Sequence, residues 1–528
     1  MKNNNRCIKT LFIAIFNCAL CYTASAQQAD IQYLGQASPA SWVPVATGEK
    51  PDSTNVWIRS GDVVTIDSDV TIKGMLIDQG ATLNATGNAA SGSIYRLTPV
   101  TADVTILNNG TLGATSGSKD GISLTLSSNT KNFTLTGSGK TAIASFFVDK
   151  ANNGLNGTLN QDATFNAGGM AFSAIPRSNA LATDNITFNI SKDKTVKLTN
   201  ASGQFHGLPA NSAGGNYTYN INGTLDVSAS NAAQNITSLP NAGSTVTLNI
   251  AGLLKMGSVV NISAPNTQQG RLALNVLDGG VADASLTTTF TSYANFFTTH
   301  GSGVLKRRVA NGEVVFFVGS PGSAYPSPVA LFNSGTADVV AVSVKNQFDV
   351  SPPNSTKVIN KQWTITPARS SGNNITVKPV WGAADAASLF NPAMPTMIYS
   401  REAGSNTWVS KTAVVNGTGT ISNPYRAIAS AYTKFGVFIV QNASLDADAG
   451  TVSLYPNPTA NEVNVDFPET LQAGTVQITN YQGRNMVISP LNKGVKNWKY
   501  NISSWPSGYY FLKMKSGDRE SAIKFIKQ

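Results

Sequence analysis

The chain has 528 residues, 12% of them charged and 8% aromatic, with 46 Gly and 23 Pro, a length that suits several domains better than one. A hydrophobic content of 41% with little net charge per residue excludes uniform disorder. The formal charge of +10 has its excess at the two ends, with Lys2, Arg6 and Lys9 at the start and nine Lys and Arg against five Asp and Glu in 451–528, so the nearly balanced body carries no nucleic-acid footprint.

The first segment reads as a secretory signal over 1–26. Lys2, Arg6 and Lys9 precede an apolar stretch from Leu11 to Leu20, and Ala24-Ser25-Ala26 supplies the small-residue cleavage pattern, so the mature chain is expected to begin at Gln27. Lipid attachment at Cys21 is the rival reading, weakened by Leu20 where a small residue is wanted. The only cysteines are Cys7, Cys18 and Cys21, and the only histidines are His206 and His300. A chain that loses its leader therefore has no material for cysteine–histidine zinc sites, thiol nucleophiles or disulfides. No later segment approaches the roughly 18 apolar residues of a membrane helix, and the expectation is an exported, soluble protein.

From 27 to 300 the pattern is one of short alternating strands. Val64/Ile66, Val104/Ile106, Phe133/Leu135, Ile186/Phe188/Ile190, Tyr217/Tyr219/Ile221, Val246/Leu248/Ile250 and Leu272/Leu274/Val276 each put apolar side chains on one face. Turn dipeptides are expected at Asn109-Gly110, Asn156-Gly157 and Asn222-Gly223, each continuing as Thr-Leu in a recurring rung-like unit. Two architectures fit, a right-handed parallel β-helix or a string of antiparallel sandwiches. Short strands, few aromatics and abundant Thr, Val, Ile and Ala favour the β-helix, with about ten coils of roughly 20–25 residues.

From 301 to 442 the strands become longer and more aromatic, as in Val314–Val318, Val339–Val344, Trp363–Thr366, Ile375–Val380 and Phe435–Val440, with Trp363, Trp381 and Trp408 among Pro- and Gly-containing turns. This spacing suggests a β-sandwich of immunoglobulin-like type without its disulfide. The small, acidic and aperiodic stretch 443–450 reads as a linker. The expected fold class is thus all-β, with helix nearly absent.

Residues 451–528 read as a compact antiparallel sandwich. Tyr455-Pro456-Asn457-Pro458 fixes the entry, Val463-Asn464-Val465-Asp466-Phe467 alternates as a strand, and Gly483 and Gly508 make turns before the strand Tyr509–Met514 and the closing Ala522–Lys527. This segment resembles the type A C-terminal sorting domain of proteins exported by the type IX secretion system of Bacteroidota. The resemblance rests on Tyr455-Pro456-Asn457-Pro458, Gly483-Arg484, Gly508-Tyr509-Tyr510-Phe511-Leu512-Lys513 and Lys524-Phe525-Ile526-Lys527, in the family's order and spacing, although Tyr481-Gln482-Gly483-Arg484 is shorter than in many relatives. It implies passage through the inner membrane by the leader and export across the outer membrane by machinery that reads this domain. In the family the domain is usually removed, and the body is released or attached to surface lipopolysaccharide. The segment 301–440 looks like the β-sandwich that often precedes such a domain, on Val314-Val315-Phe316-Phe317-Val318-Gly319 and Lys361-Gln362-Trp363-Thr364-Ile365, and that likeness names no activity.

An exported β-helix could be a polysaccharide lyase or hydrolase. A lyase needs a base and cations at the uronate, and Lys306-Arg307-Arg308 and the pair Lys192/Lys194 are the basic candidates. The competing reading of 306–308 is a solvated edge or turn entering Val314–Val318. A hydrolase needs convergent carboxylates, and Asp62, Asp67, Asp69 and Asp78 are the dense acidic group, expected as turn residues. These residues, or Asp446 and Asp448, would offer calcium its oxygen ligands, but without the spacing of a known calcium loop. His206 and His300 read as isolated turn residues. Trp381 and Trp408 offer a sugar-stacking platform or, more simply, sandwich core. No residue is assigned a catalytic, cofactor or metal role.

The first expectation is a non-catalytic, adhesin-like or glycan-contacting surface protein whose partners are the type IX machinery and a polysaccharide or surface glycan. A β-helix lyase or hydrolase and a carbohydrate-binding module are the alternatives. An enzyme should gather Lys or Arg with an acid, Tyr or His in one cleft, whereas an adhesin should show a Thr/Asn-rich wall.

Overall fold

A computed structural model of the protein describes residues 31–33, 54–66, 68–85, 94–113, 121–150, 152–176, 181–205, 214–237, 243–263, 270–292, 295–323, 326–443, 452–467, 473–516 and 519–528. The leader with its three cysteines, Asp67, His206, Asp446, Asp448 and all of the expected linker but Ala443 lie outside the described residues. The chain divides into two compact units. The first runs to Arg308 and also takes in Phe316–Pro326 and Val339–Ser343; the second comprises Val309–Val315, Ser327–Asp338 and Val344–Gln528.

In the first unit, alternation dictates local structure. Val246, Leu248 and Ile250 are fully buried, while Thr245, Thr247 and Asn249 between them face outward. A representative coil passes through three short strands, Thr245–Ile250, Leu253–Lys255 and Val259–Ser263, before Arg271–Val276 lies back on Thr245–Ile250 in parallel register. Ile190, Ile221, Ile250 and Val276 stand one above another in this way. Such sequential parallel strands make a β-solenoid, with coils of about 20–30 residues. Parallel stacking continues past residue 300, where Val304–Val309 pairs with Val281–Ala284 and Val318–Gly319 with Phe297–Thr299.

Coils meet backbone to backbone at the corner after the first strand. A Cβ on Gly223 would collide with the Ser191 and Lys194 carbonyls, so this turn has no room for a side chain. Asn156-Gly157, expected as a turn, instead lies inside the strand Asn153–Asn160. Gly157 faces the core, where a Cβ would stand 2.6 Å from Phe188 Cδ1. The recurring Asn-Gly-Thr-Leu is therefore two structures: corner and strand at 109–112 and 222–225, but mid-strand at 156–159.

The middle coils are filled by rings rather than by the expected small β-branched side chains. Phe146 and Phe188 stack at 4.9 Å and Phe172 and Phe188 at 5.5 Å, with Tyr219 edge-on to Phe172. Gly157 opens the space this stack needs.

The second unit holds two antiparallel assemblies. In the first, Gln362–Pro367, Gly436–Asn442 and Thr396–Glu402 form one sheet that ends on the first half of Val409–Asn416. The second half of that strand pairs with Tyr425–Tyr432, which continues to Ile375–Trp381 and Val329–Asn333. One strand thus serves both sheets, and Trp363 and Trp381 are fully buried. Trp363 Nε1 donates to the Ser327 carbonyl at 2.9 Å, which satisfies its one polar atom.

In the tail, Ser453–Tyr455, Glu462–Asp466 and Asn497–Asn501 form one antiparallel sheet. Asn485–Leu491, Gly474–Asn480, Gly508–Ser516 and Arg519–Lys527 form the other. Val463, Val465, Val476, Ile478, Ile502, Leu512 and Phe525 make a core without solvent access.

Candidate functional site

The outward side of the solenoid strands from Asp103–Asn108 to Phe297–Thr299 carries two continuous columns. Register places Thr105, Thr134, Thr158, Asn189, Asn220, Asn249, Asn275 and Thr298 in one. Asp103, Asn132, Asn156, Thr187, Thr218, Thr247 and Ala273 stand in the other. Only Asp103 is charged. Rungs lie about 4.8 Å apart and alternate residues of a strand about 6.6 Å apart, so the face is a regular grid of amides and hydroxyls.

The amides are ordered by one another. Asn189 Nδ2 donates to Asn156 Oδ1 at 2.6 Å, Asn220 to Asn189 at 2.8 Å, Asn249 to Asn220 at 2.9 Å and Asn275 to Asn249 at 2.9 Å. A carboxamide has two N–H groups and two lone pairs, so Asn220 and Asn249 each keep one donor and one acceptor outside the ladder. Rows of oriented donors and acceptors with little net charge suit hydroxyl-rich partners.

A second strand column alternates in sign. Lys197, Asp226, Lys255, Asp283 and Lys306 occupy successive rungs. Lys255 Nζ lies 3.7 Å from Asp226 Oδ2. Burial pushes the Asp226 carboxyl up, but hydrogen bonds from the Ser228 hydroxyl and amide, then the charges of Lys255 and Lys197, outweigh it and hold the group below its ordinary value. Opposite charges in adjacent rungs favour this register over a slipped one.

The basic triplet Lys306-Arg307-Arg308 is not one cluster. It lies in the strand Val304–Val309, whose period of two sends Lys306 and Arg308 outward and Arg307 inward. Arg307 is 8% exposed, with its guanidinium 4.7 Å over the Phe290 ring, and Phe290 stacks on Phe317 at 5.6 Å. Burial lowers its pKa to about 10. This corrects the reading of a solvated edge, because the middle residue is part of the core.

Lys192 and Lys194 lie in the corner between Asn185–Ile190 and Thr195–Leu198, with Lys192 exposed. Asp69 accepts the Arg96 N–H at 2.8 Å and Asp78 accepts the Trp57 indole N–H at 2.9 Å, while Asp62 is buried beside the Arg59–Asp62 turn. Among the described residues, no three His, Cys, Asp or Glu come together as metal ligands. His300 closes a turn, its N–H donating to the Val276 carbonyl and its own carbonyl accepting from Gly303. Trp381 is core, packed against Phe390 and Tyr425. Trp408 is half-buried, donates to the Ser351 carbonyl at 3.3 Å and has the Arg401 guanidinium 5.9 Å from its ring.

The sequence suggests a Thr/Asn-rich wall only as the mark of an adhesin and places no residues in the Thr/Asn columns, nor in the alternating Lys/Asp column. The signal for the amide ladder was present as Thr-x-Asn-Ile at 187–190, 218–221 and 247–250, continued by Ala273-Leu274-Asn275-Val276. In each of these strands the buried alternation of Ile, Phe, Tyr and Leu is the stronger pattern, and a single Asn between two apolar residues carries no register by itself.

In the tail, Asn457 of the Tyr-Pro-Asn-Pro entry reaches the last strand. Its Nδ2 donates to the Lys524 carbonyl and its Oδ1 accepts the Ile526 N–H. Beside this junction an aromatic row runs Trp498, Tyr500, Trp505, Tyr510 and Phe525, with neighbouring centroids 5.0 to 5.8 Å apart. The two motif blocks that frame the tail in sequence are thus one structural element.

Stacked parallel coils followed by antiparallel β-assemblies define an almost wholly β protein, in which no described helix is long and apolar enough to cross a membrane. Residues 453–528 match the family described as the secretion system C-terminal sorting domain. The protein is an exported one of the Bacteroidota type that carries this sorting signal, is handled by the type IX secretion machinery and resides outside the cell or at its surface. No curated protein matches the chain.

Proposed function

We propose that the exported body is a non-catalytic, adhesin-like surface protein that contacts glycan through the Thr/Asn face of its solenoid. In this reading the solenoid, expected over 27–300 and continued by the parallel strands to Val318–Gly319, is a right-handed parallel β-helix, the remainder of 301–442 an immunoglobulin-like sandwich and 443–450 the linker to the sorting domain. The observation that carries it is the pair of Thr/Asn columns, ordered by the ladder from Asn156 to Asn275 and nearly free of charge. Sugar hydroxyls both donate and accept, and a linear polysaccharide presents them at regular intervals along such a grid. The residues gathered on this face include no acid–base pair of the kind a lyase or hydrolase would use.

The test incubates the chain from residue 27 onward with acidic and neutral polysaccharides and records retention together with new unsaturated or reducing ends. Retention of a neutral glycan with no new ends supports the proposal. It should weaken when Thr187, Thr218 and Thr247 are replaced together by Lys, which breaks the grid without touching the core. Release of unsaturated ends would instead favour the lyase.

A further inference from the structure

Within the antiparallel sandwich, a lysine buried to 2% exposure faces a carboxamide and a carboxylate. Lys361 Nζ stands 2.5 Å from Asn346 Oδ1 and 3.2 Å from Asp385 Oδ1. Asn346 follows the strand Asp338–Lys345, Lys361 precedes Gln362–Pro367, and Asp385 closes the turn Ala383–Asp385. Asp385 Oδ2 accepts the Gly382 N–H at 3.0 Å, which leaves Oδ1 turned toward the amine. Val358, Ile359 and Trp363 nearby in the chain are fully buried, and Ile359 bridges to Ala386. Burying an ammonium is costly, so evolution has little reason to place one here for stability alone.

We propose that Lys361 and Asn346 become joined by an intramolecular isopeptide bond, with Asp385 as the acid–base group. The C=O bond is about 1.23 Å, so the Asn346 carboxamide carbon is at most about 3.7 Å from Nζ. That borders the near-attack range of roughly 3–3.5 Å. Asp385 takes a proton from the Lys361 ammonium, and the freed amine attacks Cγ of Asn346. The Nζ–Cγ bond forms, a second proton passes from Nζ through Asp385 to Nδ2, and the Cγ–Nδ2 bond breaks. Two protons have left Nζ and both depart on Nδ2 as ammonium, with Asp385 again a carboxylate. No oxidant or cofactor enters, and the burial of Lys361 shields its amine from competing reactions. In a chain whose only cysteines are Cys7, Cys18 and Cys21, such a bond closes the 347–360 loop covalently without dependence on redox conditions.

Intact mass and tandem mass spectrometry of the purified full chain test the bond. The expected result is a branched peptide that joins the segments containing Lys361 and Asn346, with the loss of one ammonia. Asn346→Asp should lose one water instead, and Asn346→Ala should lose nothing at this site, which separates the reaction from ammonia lost elsewhere. Asp385→Asn should keep the two segments unjoined, whereas a branched peptide in that variant would overturn the role of Asp385. Recovery of Lys361 and Asn346 in separate, unmodified wild-type peptides overturns the proposal outright, however the variants behave.

Discussion

The carboxamide of Asn457 pairs with the backbone around Ile526 as another strand would, donating to the Lys524 carbonyl at 3.1 Å and accepting the Ile526 N–H at 3.0 Å. Thr459 extends the junction, its N–H donating to the Ile526 carbonyl at 2.8 Å. Asn457→Ala removes both side-chain bonds and should cost the tail about 1–2 kcal/mol. Denaturant titration followed by Trp498 and Trp505 fluorescence measures the loss, and fractionation of cells measures export. Because the entry motif and the last strand form one surface, export should fall together with stability. Unchanged stability would show that the clamp is not used in solution.

Arg307 and Arg308 are neighbours in sequence with opposite environments, one over the Phe290 ring in the core and the other exposed. Arg307→Ala strips packing from Phe290 and should destabilise by about 2–3 kcal/mol, whereas Arg308→Ala should stay within about 0.5 kcal/mol. Urea unfolding of the two variants side by side reads the difference. The folded-state pKa of Arg307 lies below that of the unfolded chain, so the unfolded state holds the extra proton and stability should rise as pH climbs from about 10. Arg307→Met should flatten that alkaline slope.

Asp226 has the opposite sign. Its folded-state pKa is held below the ordinary 3.8 of an aspartate, so its contribution is fully present above that value and is lost as pH falls through the folded-state pKa. Asp226→Asn should therefore be less stable than wild type at neutral pH, and the gap should narrow in strong acid. Asp226→Lys should be worse than Asn, because it sets three lysines in successive rungs between Lys197 and Lys255. Thermal unfolding across pH and salt checks both, and equal stability of Asn and Lys variants would remove the charge column from the account.

The faces of the solenoid were legible where period-two alternation survives, as in Val64/Ile66 and Leu274/Val276, though Ile122–Leu126 and Ser145–Val148 are buried along their whole length. The tail was legible because its motifs come in a fixed order. What lines up across coils was not, because coil length varies: Thr134 stands over Thr158, 24 residues on, while Asn189 stands over Asn220, 31 residues on. Nor does a sequence distinguish Gly157, which makes room for a ring, from Gly223, which makes room for a backbone. Lys306-Arg307-Arg308 is compact along the chain and divided in space, whereas Asn346, Lys361 and Asp385 are scattered along the chain and gathered in space. Proximity in a β protein is set by pairing, which side-chain chemistry alone does not announce.

Gly157 offers the sharpest test of the aromatic core. Its backbone is not in the left-handed region, so alanine is conformationally acceptable there and any penalty is steric. An added Cβ would stand 2.6 Å from Phe188 Cδ1 and 2.7 Å from Cε1, too close for the ring to stay where it is. Phe188 has little freedom to move, since Phe146 and Phe172 stack on it at 4.9 and 5.5 Å. Gly157→Ala should therefore destabilise the solenoid by about 1–3 kcal/mol. Phe188→Leu alone should also destabilise, by leaving part of the ring site empty. Combined, the two changes should cost less than the sum of the single changes, because the new methyl group occupies space the ring has vacated. A double-mutant cycle in urea measures this coupling, and simple additivity would mean that Gly157 is not there to admit Phe188.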